Sequence, residues 1–149
     1  MEIEKEIQNN KFTDSYQKAS VNIIFTYNWL NSFIKAELNK SKITPQQFNI
    51  LRILRGQHPK PATVNIIKER MLDKMSDASR IVDRLVSKNL VTRTVCESDR
   101  RAVDILISDK GLALLNGIKL EEAMAVKFKE NISESDAERL SDLLDTFRG

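Results

Sequence analysis

The apolar residues near the start of the chain recur at the spacing of an α-helix. Residues 12–39 contain neither proline nor glycine, and one helical face carries Val21, Ile24, Phe25, Trp29 and Phe33. A second set widens that face beyond the stripe that one core would cover: Ile23, Tyr27, Leu30 and Ile34. The pattern predicts one long helix over 12–39 that packs on more than one side, as a helix at a subunit interface does.

A second helix is predicted to begin at Thr44. Thr44 is a suitable N-cap, Pro45 fits the first helical position because its missing N–H needs no partner there, and Gln47 completes a capping box. One face then carries the apolar residues Phe48, Ile50, Leu51 and Leu54. Gly56 and the Pro-Lys-Pro turn at 59–61 end the helix after about 12 residues.

Two shorter helical patterns follow in close succession. The first covers 63–71, with Val64, Ile67 and Met71 facing inward, and the second covers about 75–88. The inward side of the second is expected to consist of Met75, Ala78, Ile81, Val82, Leu85 and Val86. Its outward side carries Ser76, Arg80, Asp83, Arg84 and Ser87, with Arg80 near the centre. Only residues 72–74 separate the two helices, so the pair is predicted to form a helix-turn-helix. Asn89 can adopt the left-handed conformation that ends the second helix.

A β-hairpin is predicted directly after this motif. Apolar and polar residues alternate over 91–96 and again over 103–107, and the charged segment 97–101 lies between them. A hairpin behind a helix-turn-helix constitutes a wing. Residues 74–88 would then be the recognition helix and residues 91–107 the wing.

Two further helices are predicted after the hairpin. Ser108 caps a helix over 109–129, and Ser133 with Asp136 opens a last helix that ends near Arg148. The apolar stripe of that last helix is Leu140, Leu143, Leu144 and Phe147. The fold class expected is mainly α with a small β-hairpin wing. A winged helix-turn-helix DNA-binding domain over 41–108 would be flanked by helical dimerisation regions at 1–40 and 109–149.

The distribution of charge supports a role in binding an anion. The net charge of the chain is only +3, but residues 51–101 hold 12 Lys and Arg against 6 Asp and Glu. The remainder is mildly acidic, so the basic charge is local to the predicted winged domain. The alternative is an ordinary solvated surface with uneven charge.

Composition excludes several other classes of protein. No apolar run approaches the roughly 18 residues that cross a bilayer, and the acidic N-terminus does not resemble a signal peptide, so we expect a cytoplasmic protein without membrane contact. A single cysteine, Cys96, and a single histidine, His58, provide no disulfide and no metal site. Without a catalytic constellation or a glycine-rich phosphate loop, neither an enzyme nor a cofactor is expected.

Double-stranded DNA is therefore the predicted partner. Arg80 is expected to read bases in the major groove, and Ser76, Asp77 and Ser79 lie at the helix end that points at bases. Lys74, Arg84 and Lys88 would reach flanking phosphates. The full predicted DNA-binding set is Thr63, Asn65, Lys74, Ser76, Asp77, Ser79, Arg80, Arg84, Lys88, Arg93, Arg100 and Arg101. The alternative for such a helix face is a solvated surface with no specific partner.

Arg100 and Arg101 at the tip of the wing suit insertion into a narrow, electronegative minor groove. Asp99 is expected to orient one of them. An Asp99–Arg101 salt bridge that merely shapes the loop is the alternative, and both can hold at once.

Residues 44–115 resemble the core of the MarR family of bacterial transcriptional regulators. The matching stretches are ITPQQFNILRIL at 43–54, SRIVDRL at 79–85, LVTR at 90–93, DRRAV at 99–103 and ISDKG at 107–111. Asn89 stands where family members mostly carry glycine, which leaves the helix stop intact.

The resemblance implies a homodimer in which the first helix and the last two interlock, holding two winged lobes over a pseudo-palindromic operator. It also implies a ligand-responsive repressor, because family members often release DNA when a phenolic or aromatic carboxylate ligand binds between the dimer helices and the DNA lobe. The sequence does not identify the effector-binding residues. Some relatives sense oxidants through an N-terminal cysteine that is absent here, so Cys96 is interpreted as a passive strand residue. A winged-helix module that binds another protein remains the alternative function.

Overall fold

The computed structural model describes residues 1–9, 11–95 and 103–149, which form helices and one β-hairpin. The helices in chain order are α1 (Ile3–Glu6), α2 (Ser15–Asn39), α3 (Pro45–Gln57), α4 (Val64–Arg70), α5 (Ala78–Ser87), α6 (Asp109–Gly117), α7 (Leu120–Lys129) and α8 (Glu134–Arg148). Strands β1 (Val91–Val95) and β2 (Val103–Ile107) lie between α5 and α6. The predicted fold class is therefore confirmed. No helix in the described ranges is both long and apolar enough to span a membrane.

The chain divides into two compact units, Met1–Leu115 and Asn116–Gly149. In the first unit, α3 lies at the centre and contacts α2, α4, α5 and β2. Its apolar face is buried together with residues from those neighbours: Leu38, Ile50, Leu51, Leu54, Ile67, Val82, Leu85 and Ile105. This core fixes the helix-turn-helix to the hairpin. The second unit contains α7 and α8.

The hairpin is antiparallel, with Val91 opposite Ile107 and Val95 opposite Val103. Ala62, just before α4, extends it by one residue, because the backbone N–H of each of Ala62 and Ile105 donates to the carbonyl of the other at 2.9 Å. The base of the wing is thereby attached to the segment that leads into the helix-turn-helix.

The predicted helix signals at Thr44 and Asn89 are confirmed. The Thr44 hydroxyl accepts from the Gln47 amide at 3.2 Å while the Gln47 side chain accepts from the Thr44 amide at 3.1 Å. Asn89 adopts a φ of 58°, and the next amide, that of Leu90, donates to the Leu85 carbonyl at 3.0 Å. These local bonds close the helix ends at the positions that the sequence indicates.

Three predicted helix boundaries were wrong. The first long helix begins at Ser15 rather than at residue 12, because the Asp14 carboxylate caps it by accepting from the Gln17 amide at 2.8 Å. The predicted helix over 109–129 is two helices, the first of which ends at Gly117, a residue that disfavours helix continuation. The predicted recognition helix begins at Ala78 instead of near residue 75, so residues 71–77 form a longer connector than the three-residue turn expected.

Gly111 lies where the first turn of α6 meets the chain after α5. A Cβ atom at this position would be 2.3 Å from the Leu90 carbonyl oxygen and 2.8 Å from a side-chain carbon of Ile107. The Leu90 carbonyl accepts from the Ser108 amide at 3.1 Å, and the Ser108 hydroxyl caps α6 by accepting from the Gly111 amide at 3.0 Å. Ser108 therefore holds the backbone of Gly111 close to the Leu90 carbonyl, because its amide bonds to Leu90 and its hydroxyl bonds to Gly111.

Gly111→Ala should destabilise the protein by at least about 1–3 kcal/mol, because the added methyl group must displace backbone. Gly56→Ala is the matched control: it lies within α3 and its Cβ would meet nothing within 4 Å, so it should be neutral or stabilise by about 0.5–1 kcal/mol. Urea unfolding of both variants measures the difference. Equal stability of the two variants would contradict the packing described for α6.

Candidate nucleic-acid interface

The short helix α5 presents a polar face outward on an apolar base. Ala78, Val82 and Leu85 are buried, whereas Ser79 and Arg80 are exposed. Asp77 caps the helix by accepting from the Arg80 amide at 3.1 Å. Arg80 therefore projects from the first turn of a helix whose inner side is fixed in the core.

The connector over 71–77 is ordered by one carboxylate. Asp73 accepts from the Ser76 hydroxyl at 2.6 Å and from the Met75 amide at 3.1 Å. The Ser76 hydroxyl, and then the Met75 amide, hold the pKa of Asp73 below its ordinary value. The Leu72 amide donates to the Asn49 side chain of α3 at 3.0 Å. These bonds replace the helical bonds that the sequence pattern predicted here.

Lys74 and Lys88 direct their ammonium groups to the protein's own backbone. The Lys74 ammonium donates to the carbonyls of Glu69 and, at 3.3 Å, of Lys68, and so satisfies the carboxyl end of α4. The Lys88 ammonium donates to the Lys42 carbonyl at 2.6 Å. These bonds stabilise the winged domain, and because an ammonium has three N–H donors, either lysine could donate to a phosphate without losing them.

The Arg93 side chain of β1 forms an ion pair with Asp83 of α5 at 2.6 Å. Both side chains are largely exposed, so the pair contributes little to stability, but it fixes the Arg93 guanidinium beside the recognition helix. The sequence predicted a DNA contact for Arg93 and did not anticipate this partner.

The remaining predicted residues fall into two groups. Thr63 caps α4 by accepting from the Ile66 amide at 3.3 Å, and Asn65 is exposed in the first turn of that helix. Arg100, Arg101 and the predicted orienting residue Asp99 lie outside the described residues, as does Cys96.

A polar concavity brings part of the predicted set together with the start of α3. It has a volume of about 320 Å³, and its lining includes Ser76, Asp77, Arg80 and Arg84. Thr44, Gln46 and Gln47 complete it from the amino-terminal turn of α3, and sequence reasoning assigned them no binding role. The capping-box signature could have indicated them, because it marks a helix end whose amide donors point outward.

A second, more apolar cavity of about 440 Å³ lies within the first unit. Tyr27, Leu30 and Ile34 of α2 line one side, and residues of α3 and of the connector line the other. The connector residues are Met71, Leu72, Asp73 and Lys74. The sequence did not reveal this cavity, because its walls come from segments that are distant along the chain. In the part of the chain that is described, no group of three or more His, Cys, Asp or Glu residues is arranged to hold a metal ion.

A helix-turn-helix whose second helix is polar on its outer face, followed by a hairpin, defines a winged helix-turn-helix protein. The family model described as "MarR family" matches residues 43–103, which contain the helix-turn-helix and the first strand of the hairpin. This match, together with relatives that are named as HTH-type transcriptional regulators, supports a transcriptional regulator of the helix-turn-helix type that resembles the MarR family. Regulators of this family are DNA-binding proteins and not enzymes.

Individual proteins are similar to this chain in sequence or in fold. The chain is 25% identical to the HTH-type transcriptional regulator MhqR of Bacillus subtilis over 89% of its length and 90% of the relative's. Its fold matches the organohalide-sensing regulator RdhR-CbdbA1625 in the 2,4-dichlorophenol-bound form, with a TM-score of 0.81, 19% identity and coverage of 91% and 80% of the two chains. It also matches MepR of S. aureus in a DNA complex, with a TM-score of 0.73, 21% identity and coverage of 91% and 96%.

Proposed function

We propose that this protein is a ligand-responsive repressor that binds a pseudo-palindromic operator sequence-specifically as a homodimer. The observation that carries the proposal is the outer face of α5, where Arg80 and Ser79 are exposed while Ala78 and Val82 anchor the helix in the core. A rigidly held helix with such a face fits the major groove of B-DNA.

Arg80 is the base-reading residue in this proposal. Its position in the first turn of α5 suits the helix end that normally approaches base edges, and a guanidinium can donate two hydrogen bonds to guanine. Arg84, one turn further along on the same concave surface, would contact a flanking phosphate. Asp77 serves the site by capping the helix that carries Arg80.

Exposed apolar residues support dimerisation through the regions 1–40 and 109–149. On α2 the exposed residues Tyr16, Ile24 and Tyr27 remain uncovered, and on α8 the exposed residues are Leu140, Leu143 and Phe147. Several exposed apolar residues on one helix are typical of a subunit interface. A second copy of the chain would cover them and place two α5 helices on one duplex.

The apolar cavity supports a response to a small molecule. Its walls offer apolar contacts from Leu30 and Ile34, and Lys74 and Asn49 supply polar groups at its edge. This lining suits a phenolic or aromatic carboxylate effector. The same connector residues lead directly into the cap of α5, so a ligand that prefers one connector conformation would change the population of DNA-competent α5.

Selection from a pool of random duplexes tests the proposed function. The full-length protein should enrich an inverted repeat whose half-sites are centred about one helical turn, roughly 34–36 Å, apart. Enrichment of a single asymmetric site would contradict the homodimeric operator. Absence of any enriched sequence would overturn sequence-specific binding and favour a role in binding another protein.

A cavity-filling substitution tests the response to effectors. Phenols and aromatic carboxylates that raise the melting temperature of the wild-type protein should lose this effect in Ile34→Trp, because the indole occupies the cavity. Lys35→Trp, at an exposed position next along α2, is the matched control and should retain the shift. An unchanged shift in Ile34→Trp would place the ligand elsewhere.

A further inference from the structure

Met75 is a large apolar residue that is adjacent in sequence to Ser76 and Asp77, which line the polar concavity. The residue is 94% exposed, although the helical pattern of the sequence assigned it to the buried side with Ala78 and Val82. The difference arises because α5 begins only at Ala78, which leaves Met75 on the connector.

Met75 lies in a turn that is ordered by hydrogen bonds. The Met75 amide donates to Asp73 at 3.1 Å, and the Ser76 hydroxyl donates to the other oxygen of the same carboxylate at 2.6 Å. The Lys74 ammonium fixes the preceding residue to the end of α4. Met75 is therefore held outward immediately before the amino-terminal end of the recognition helix.

The residues that follow Met75 indicate which kind of partner binds this part of the protein. Ser76, Asp77, Arg80 and Arg84 line one polar concavity just beyond it, so the adjoining surface is suited to a polar, anionic partner and not to an apolar protein face. Within the major groove, thymine offers an apolar group, its C5-methyl, beside the hydrogen-bonding atoms of the base edges. Methionine is flexible and polarisable, which suits it to such a contact.

We propose that Met75 is a specificity-determining residue that recognises the C5-methyl group of a thymine in each half-site. This inference rests on the proposed DNA-binding function and adds a second, apolar base contact to that of Arg80. Leu72 provides a contrast on the same connector: it is 89% exposed, but its side chain lines the apolar cavity next to α2.

Replacing thymine by deoxyuridine tests the proposal, since this removes the methyl group and leaves the hydrogen-bonding edge unchanged. In the operator selected by the wild-type protein, each thymine is replaced singly and the dissociation constant is measured. One position per half-site should lose about fourfold in affinity, the ratio that corresponds to ~0.8 kcal/mol for one buried methyl group. Met75→Ala should bind the thymine operator more weakly and should no longer distinguish the two bases at that position.

Two variants serve as controls in this experiment. Met75→Leu keeps an apolar side chain and should retain discrimination at that position. Lys60→Ala, at an exposed position in the turn after α3, should retain the wild-type discrimination at every thymine. Circular dichroism and sedimentation of Met75→Ala should match the wild type. The proposal is overturned if Met75→Ala keeps the wild-type ratio of dissociation constants for the deoxyuridine and thymine operators at every position. It is also overturned if no thymine methyl affects wild-type binding, or if Met75→Ala alters only the oligomeric state. A wild-type protein that selects no operator would overturn the proposed function as well, which distinguishes the two failures.

Discussion

Arg80→Ala is expected to reduce affinity for the operator by about 5- to 150-fold, which corresponds to ~1–3 kcal/mol for a lost bidentate base contact. Affinity for a scrambled duplex should fall much less, because non-specific binding depends on phosphate contacts. The fold should be unaffected, since the Arg80 side chain is exposed and only its backbone amide bonds to the Asp77 cap. Fluorescence anisotropy on both duplexes measures the two effects.

Arg55→Ala is the charge-matched control for this experiment. Arg55 is an exposed arginine in the last turn of α3 and does not line the polar concavity that contains Arg80. Its replacement by alanine removes the same charge. It should reduce affinity for both duplexes slightly and equally. If Arg80→Ala also weakened the two duplexes equally, Arg80 would be a phosphate contact and its assigned role would be wrong.

Two acidic substitutions on α8 should have the largest effect on operator binding. Leu143→Glu combined with Phe147→Glu places charges on the exposed apolar stripe of α8. If that stripe is a subunit interface, the protein should become monomeric at micromolar concentration. Operator affinity should then fall by about 10²–10⁴-fold, because the two half-sites no longer bind linked winged domains.

Sedimentation velocity measures the oligomeric state of this variant, and an operator titration measures its affinity. Ser135→Glu combined with Ser141→Glu adds the same charge to exposed positions outside the stripe and should leave a dimer with wild-type affinity. A doubly substituted Leu143 and Phe147 variant that stays dimeric would exclude α8 from the interface. A monomer with full operator affinity would refute the need for a dimer.

Features set by local chemistry were predicted well from the sequence. The capping box at Thr44, the left-handed Asn89 and the Ser133 cap that opens α8 each depend on residues within a few positions of one another. The outward position of Arg80 also followed from the sequence, because the residues after Ala78 keep strict helical spacing.

Features set by competing or distant contacts were not predictable in the same way. The pattern extended the recognition helix back to Met75, but the Asp73 carboxylate accepts from the Met75 amide and the Ser76 hydroxyl, and such side-chain bonds compete with a helical turn. The partner of Lys88, the Lys42 carbonyl, is 46 positions away in the sequence. The apolar cavity likewise depends on the packing of α2 against the connector.

The same connector unites the two proposed activities of the protein. It lines the cavity through Met71 and Leu72, and it carries the exposed Met75 and the Asp77 cap, which we propose face the DNA. A ligand in the cavity therefore needs to move only this short segment to change how α5 is presented. The stability of the core beneath it, formed by Ile67 and Val82, need not change.

The salt dependence of binding to operator and scrambled duplexes tests the central claim most directly. A winged helix-turn-helix that reads bases should bind the operator at least about 10³-fold more tightly than the scrambled duplex near physiological salt. For both duplexes the logarithm of affinity should fall linearly with the logarithm of salt concentration, by about 0.9 for each phosphate neutralised. Equal affinity for the two duplexes, or binding that is insensitive to salt, would contradict sequence-specific recognition of DNA by α5.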